Sequence, residues 1–261
     1  MKKKRKRYRL RKKYRDRLKK LGKFLFVLLL LFATVKIGIL GYQIMIEKKE
    51  TQEVTKQQRK TKDESTLTSD NKPVDIIIDA GHGGRDPGCE WDEIMEKHIT
   101  LDISRQVAQK LERQGYHVYM TRTDDRDFSD IEDYDLMERV NIGEQINPKL
   151  FVSIHVNFSE YEEATGCEVF YDGDKVFAAH AAKTISDNMH DSNVLPSRGA
   201  SETLPSAPIY IVDYNSCETV LIETAFLSNE TDRNILANSF KRVEIANVIA
   251  DGIHQSFTTY E

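Results

Sequence analysis

Three short apolar runs constrain this chain more than any other feature: VDIIIDA (74–80), LFVSIHV (150–156) and TVLIETAF (219–226). Each lacks the in–out alternation of a half-exposed strand, so each reads as a strand buried on both faces. Helical spacing lies between them. Glu96–Gln114 sets Ile99, Ile103, Val107 and Leu111 along one side and meets Gly115 as a stop. Tyr134–Ile146, Lys175–His190 and Phe240–Phe257 read as further helices, and HVYMT (117–121), CEVFYD (167–172) and PIYIV (208–212) as further strands. Strands interleaved with helices of this length predict an α/β fold, a twisted and mostly parallel sheet with helices on both faces.

That domain occupies 74–261, and what precedes it has a different character. Residues 1–24 carry fifteen Lys/Arg against one acid, whereas 74–261 carry fifteen against thirty-five, a net charge of −20. A basic head on an acidic body calls for two explanations. The head (1–23) runs directly into FLFVLLLLFATVKIGILGYQIMI (24–46), broken by Lys36 alone. About twenty apolar residues cross a bilayer as a helix, and one lysine at mid-membrane costs about 3 kcal/mol, which a run this apolar outweighs. Residues 24–46 are therefore expected to be a transmembrane signal-anchor; no small-x-small cleavage site follows the apolar stretch. The positive-inside rule places 1–23 in the cytoplasm, against anionic membrane lipid, and the domain outside. Residues 47–73 are polar and end in proline, the composition of a flexible tether. A nucleic-acid role is excluded by the domain's negative charge, because phosphate binding needs clustered Lys/Arg.

Cys89, Cys167 and Cys217 form no CxxC pair and are too few for a disulfide framework; they are expected to be free and mostly buried.

Ligands gather at the carboxyl ends of strands in open α/β sheets, and three strand ends here carry polar residues that packing would not select. The first runs into Gly81-His82-Gly83-Gly84, the next ends in His155 and Asn157, and Glu223 interrupts the apolar run of the last. Two histidines and a carboxylate make a His₂Glu zinc site with a fourth position left for water. Glu96, opening the first helix, is the natural third ligand, with Glu90 and Glu93 as rivals on the same loop. Glu223 then stands as a second carboxylate able to accept a water proton. A buried salt bridge to an arginine such as Arg122 or Arg139 is its purely structural alternative, since an unpaired carboxylate in an apolar strand is expensive. His98, His117, His180, His190 and His254 have no companion pattern and read as surface or packing residues.

The chain resembles the zinc-dependent N-acetylmuramoyl-L-alanine amidases of the amidase-3 family. The resemblance rests on IIIDAGHGGRDPG (76–88), EKHITLDIS (96–104), VYMTR (118–122), LMERVNIG (136–143), LFVSIHVN (150–157), SRGA (197–200) and VLIETAFLSN (220–229), in family order. It implies zinc held by His82, Glu96 and His155, with Glu223 as the catalytic carboxylate. It also implies peptidoglycan as substrate, cleaved between N-acetylmuramic acid and the L-alanine of the stem peptide. The loop from His82 to Glu96 departs from the family in carrying acids and Trp91 where glycines are common. Only 158–165 separate SIHVN from the next strand, too short for the inhibitory plug that some relatives carry. The site is therefore expected to be open and restrained by its tether, with no protein activator identifiable. A catalytically silent or activator-dependent wall-binding module of the same fold is the alternative reading.

Overall fold

The computed structural model describes residues 72–129 and 132–260. The basic head, the anticipated membrane span and all of the tether except Lys72 and Pro73 lie outside them. No helix among the described residues is long and apolar enough to cross a membrane.

Eight strands and six helices follow one another along the described chain. The strands are β1 (Ile76–Ala80), β2 (Glu90–Trp91), β3 (Ile94–Met95), β4 (Val118–Met120), β5 (Leu150–Asn157), β6 (Cys167–Tyr171), β7 (Ser197–Glu202) and β8 (Thr219–Phe226). The helices are α1 (Glu96–Arg113), α2 (Glu132–Ile146), α3 (Val176–Ser192), α4 (Tyr210–Asp213), α5 (Glu230–Ala237) and α6 (Ser239–Thr259). Six strands form one sheet in the order β4-β1-β5-β8-β6-β7, and β2 and β3 make a separate small hairpin. Neighbours β4, β1, β5 and β8 run parallel; β6 turns antiparallel to β8, and β7 lies parallel to β6.

The apolar runs become the central strands because they alone can be covered twice. Ile76, Ile78, Val152, Ile154, Val220 and Ile222 face the larger core, which α1, α3 and α6 complete through Ile103, Ile185 and Ile249. Ile77, Phe151 and Leu221 point the other way, onto Val140 of α2 and Ile211 and Val212 of α4. Burying each such side chain contributes roughly 1.5–3 kcal/mol, so the central strands have no alternative register of comparable stability. The cover on the second face is smaller. His155 and Glu223 share its parity along β5 and β8.

Several elements differ from what the sequence predicts. PIYIV (208–212) is no strand: Pro208 and Ile209 lead into the single turn of α4. Asp213 fixes that turn by accepting from Ile209 N and Thr203 Oγ1, both at 2.5 Å. The sheet position is taken instead by β7, whose polar sequence SRGASE conceals a strand. An edge strand has one unpaired side and needs no apolar run. Helix α5 also escapes the reading of the sequence, although Asn229 caps it by accepting from Asp232 N at 3.1 Å. All three cysteines are free; Cys167 and Cys217 are buried and Cys89 is half-buried.

Candidate functional site

The site starts where β1 leaves the sheet. His82 sits at φ +59°, in the left-handed region that few side chains occupy, and Gly83 and Gly84 continue with positive φ. The turn closes by reciprocal backbone bonds between Gly83 and Asp86, at 3.0 and 3.1 Å. Its inward carbonyls meet two buried arginines. Arg139 donates to Ala80 O and His82 O, both at 2.8 Å. Arg122 donates to Ala80 O at 2.9 Å and Gly81 O at 2.8 Å. Buried carbonyls without donors would cost about 1–3 kcal/mol each, so these guanidiniums hold the strained turn in place.

Arg139 is itself balanced by Asp79 at 2.7 Å and Asp135 at 2.8 Å. Asp79 lies in the core, and burial alone would raise its carboxyl pKa. The Arg139 charge and the Thr121 and Ser153 hydroxyls outweigh burial and hold it below the usual carboxylate range.

Glu96, His82 and His155 converge over this frame, with one ligand atom from each lying within 4.8 Å of the others. Glu96 Oε1 stands 3.1 Å from His82 Nε2 and 3.1 Å from His155 Nδ1, and the two rings meet edge-on with centroids 4.9 Å apart. Two backbone donors fix that carboxylate, Val156 N on Oε1 at 2.8 Å and Cys89 N on Oε2 at 2.9 Å. Glu96 is buried beside both histidines, while Glu90 and Glu93 are exposed and lie outside the cluster. Burial opposes the charge on Glu96, but the hydrogen bonds and charges of His155 and His82 outweigh it and hold its pKa far below normal. Burial likewise opposes protonation of His82, yet Glu96 and Asp86 raise its pKa to about 9. A carboxylate held ionised between two imidazole nitrogens is an equally good attractor for a divalent cation. The donor set of two nitrogens and one oxygen is that of catalytic zinc.

Asp86 completes the cluster from behind. Its Oδ2 lies 2.6 Å from His82 Nδ1, and its Oδ1 accepts from Gly88 N at 3.0 Å. A carboxylate on Nδ1 selects the tautomer that leaves Nε2 facing Glu96. Asp86 is not among the residues predicted from the sequence; its i+4 spacing from His82 is the one local signal that points to it.

Glu223 lies opposite His155 in the β5–β8 register. The residue is half-buried, its Oε2 is shut off from solvent, and burial pushes its pKa up to about 7. Its Oε2 has no hydrogen-bond partner among the described residues. Arg122 and Arg139 are committed to the β1 turn, and among the described residues no ion pair reaches Glu223, so the salt-bridge alternative fails. Beside the cluster opens a cavity of about 400 Å³, bounded by His82, His155, Asp86, Arg139 and Ile211. The remaining histidines stand apart at exposed or half-buried positions, His254 bonded to the Tyr116 hydroxyl at 2.9 Å.

A mostly parallel α/β sheet with a His-Glu-His cluster that could hold a metal ion, and a carboxylate oxygen without a partner beside it, fits the class of hydrolases. Residues 76–255 match the family model described as N-acetylmuramoyl-L-alanine amidase, and the chain belongs to that family, Amidase_3. It is 30% identical over 177 residues to N-acetylmuramoyl-L-alanine amidase LytC of Bacillus subtilis, a match covering 68% of this chain but only 34% of LytC. It is also 30% identical over 191 residues to the germination-specific N-acetylmuramoyl-L-alanine amidase of the same organism, covering 70% of this chain and 79% of that one. Among solved structures, the CwlD amidase of Clostridioides difficile, determined with the GerS lipoprotein, superposes with a TM-score of 0.65 at 31% identity. That superposition covers 71% of this chain and 98% of CwlD.

Proposed function

We propose that this chain is a zinc-dependent peptidoglycan hydrolase that cleaves the amide between N-acetylmuramic acid and the L-alanine of the stem peptide. The observation that carries the reading is the unpartnered carboxylate oxygen of Glu223 beside His155. A buried charge left without a partner costs stability and persists where a substrate supplies the partner.

His82, Glu96 and His155 would hold the metal, with Asp86 orienting His82. Zinc in such a site lowers the pKa of a coordinated water from 15.7 to about 7 and polarises a carbonyl. Glu223 is placed to take the proton of the attacking water, because burial makes its carboxylate a stronger base than an exposed one. It then returns that proton to the leaving amine of L-alanine. The Arg139–Asp79 frame keeps the His82 turn from moving as charge shifts between these groups.

Residues 24–46 anchor the chain in the membrane, 1–23 lie in the cytoplasm on anionic lipid, and the hydrolase domain faces the wall on the tether 47–73. The support is the apolar run beside fifteen basic residues. Location then restrains an open site, and no activator is needed.

The test uses the full-length protein on purified peptidoglycan, with and without chelator, and identifies the released ends by mass. Chelator-sensitive release of stem peptides that begin at L-alanine is the expected result. Stoichiometric zinc with no release from any peptidoglycan would sink the hydrolase assignment.

A further inference from the structure

The SRGA segment (197–200) has no part in the chemistry above, yet the fold carries it to the catalytic carboxylate. The sheet register aligns His155 of β5, Glu223 of β8, Glu168 of β6 and Gly199 of β7 in one row. Side chains paired across a sheet share a face, so the row leads from the metal cluster past Glu223 to the β7 edge. At that edge Arg198 is braced from two directions. Its Nε donates to Glu168 Oε2 at 3.1 Å, and its guanidinium lies over the Phe226 ring at 5.2 Å. Glu168 is braced in turn, its Oε1 accepting from Ser201 Oγ at 2.9 Å.

The brace occupies only one edge of the guanidinium. Among the described residues no hydrogen bond engages Nη1 or Nη2, and the side chain is 42% exposed. The Nη1–Nη2 edge is the one that matches a carboxylate with two parallel bonds. Gly199, directly across from Glu168, leaves the floor open: nothing lies within 4 Å of where a Cβ would stand. Two strand spacings of about 4.8 Å separate Gly199 from Glu223, and the arginine leans back over Phe226, three residues beyond Glu223. Along an extended peptide, the second residue after a scissile bond lies two residue lengths away, about 7 Å. The span across the two strands is the longer by roughly 3 Å, a difference that an arginine side chain reaching back over Phe226 can close.

We propose that Arg198 is a specificity-determining residue that grips a free α-carboxylate on the second residue of the stem peptide. Glu168 and Ser201 serve only to hold the guanidinium in place. The inference rests on the amidase reading, since it assigns the peptide arm of the substrate to the β7 side of Glu223.

The test compares two muramyl-peptide substrates that differ at one group, the second residue carrying either its free α-carboxylate or the carboxamide. Full-length protein and its Arg198→Met and Arg198→Lys variants are assayed on both, with zinc content measured alongside. Methionine keeps the packing on Phe226 and removes the charged fork. The wild type should prefer the free acid by ten- to hundredfold in kcat/KM, expressed mainly in KM, the range of a charged hydrogen-bonded pair. Arg198→Met should collapse that ratio to within about twofold at full zinc content, and Arg198→Lys should give an intermediate ratio. Equal cleavage of both substrates by the wild type overturns the proposal, as does a ratio preserved in Arg198→Met. Failure to cleave either substrate by the wild type overturns the amidase reading instead.

Discussion

His155 packs directly on Gly81: a Cβ at residue 81 would lie 2.5 to 2.7 Å from three atoms of the imidazole ring. The glycine that follows β1 therefore sets the position of a ring on the neighbouring strand. Gly81→Ala should push His155 away from Glu96 and weaken zinc binding at least tenfold, with an overpacking cost of about 1–3 kcal/mol in stability. Competition with a fluorescent chelator measures the first and thermal melting the second. Wild-type zinc affinity in the alanine variant would show that the ring can move without consequence.

Asp86 reaches the metal cluster only through His82. Asp86→Ala should lower zinc affinity by about 10–100-fold, and Asp86→Asn, which keeps an acceptor for Nδ1–H, should lose less. The reciprocal backbone bonds of Gly83 and Asp86 remain in both variants, so the metal-free melting temperature should stay close to wild type. A zinc affinity unchanged in the alanine variant removes Asp86 from the machinery.

Glu223→Gln should retain stoichiometric zinc and lose about 10²–10⁴ in turnover, the usual contribution of a positioned general base. The same change should stabilise the chelator-treated protein. The folded pKa of about 7 stands above the ordinary value of 4.5, so stability falls as pH rises between the two, and the loss is complete above about 7. Glutamine abolishes that fall. The variant's advantage should grow across this window to roughly 1–3 kcal/mol, read from denaturant melts at pH 5 and pH 8. Parallel pH–stability curves would contradict the burial argument.

Arg139 and Asp79 form the buried pair beneath the His82 turn. Arg139→Leu leaves a core carboxylate without its cation and should cost about 3–5 kcal/mol. The wild-type pair also sets an acid limit. The folded pKa of Asp79 is depressed below 3.8, so its contribution is present above that value and lost as pH falls through the lower folded pKa. Acid unfolding of the wild type should therefore include a step below pH 3.8 that Arg139→Leu lacks, measurable by circular dichroism.

The three apolar runs and the residues that interrupt them were legible in the sequence because periodicity and expensive exceptions are local properties. Ile76–Ala80, Leu150–Asn157 and Thr219–Phe226 have no fate other than central strands, and Glu223 among them was conspicuous as a carboxylate that packing rejects. His82, Glu96 and His155 followed from strand ends and from the family resemblance. Which residues meet is a different matter, set by register and crossover across distant parts of the chain. Only the tertiary structure decided that Arg139 and Arg122 hold the His82 turn, that Gly81 yields to His155, and that Arg198, at the register shift before Gly199, meets Glu168 of the Glu223 row. It also replaced the expected strand at 208–212 with the turn of α4 and made a strand of 197–202. A polar edge strand owes its structure to the neighbour it pairs with, and no pattern within its own six residues records that neighbour.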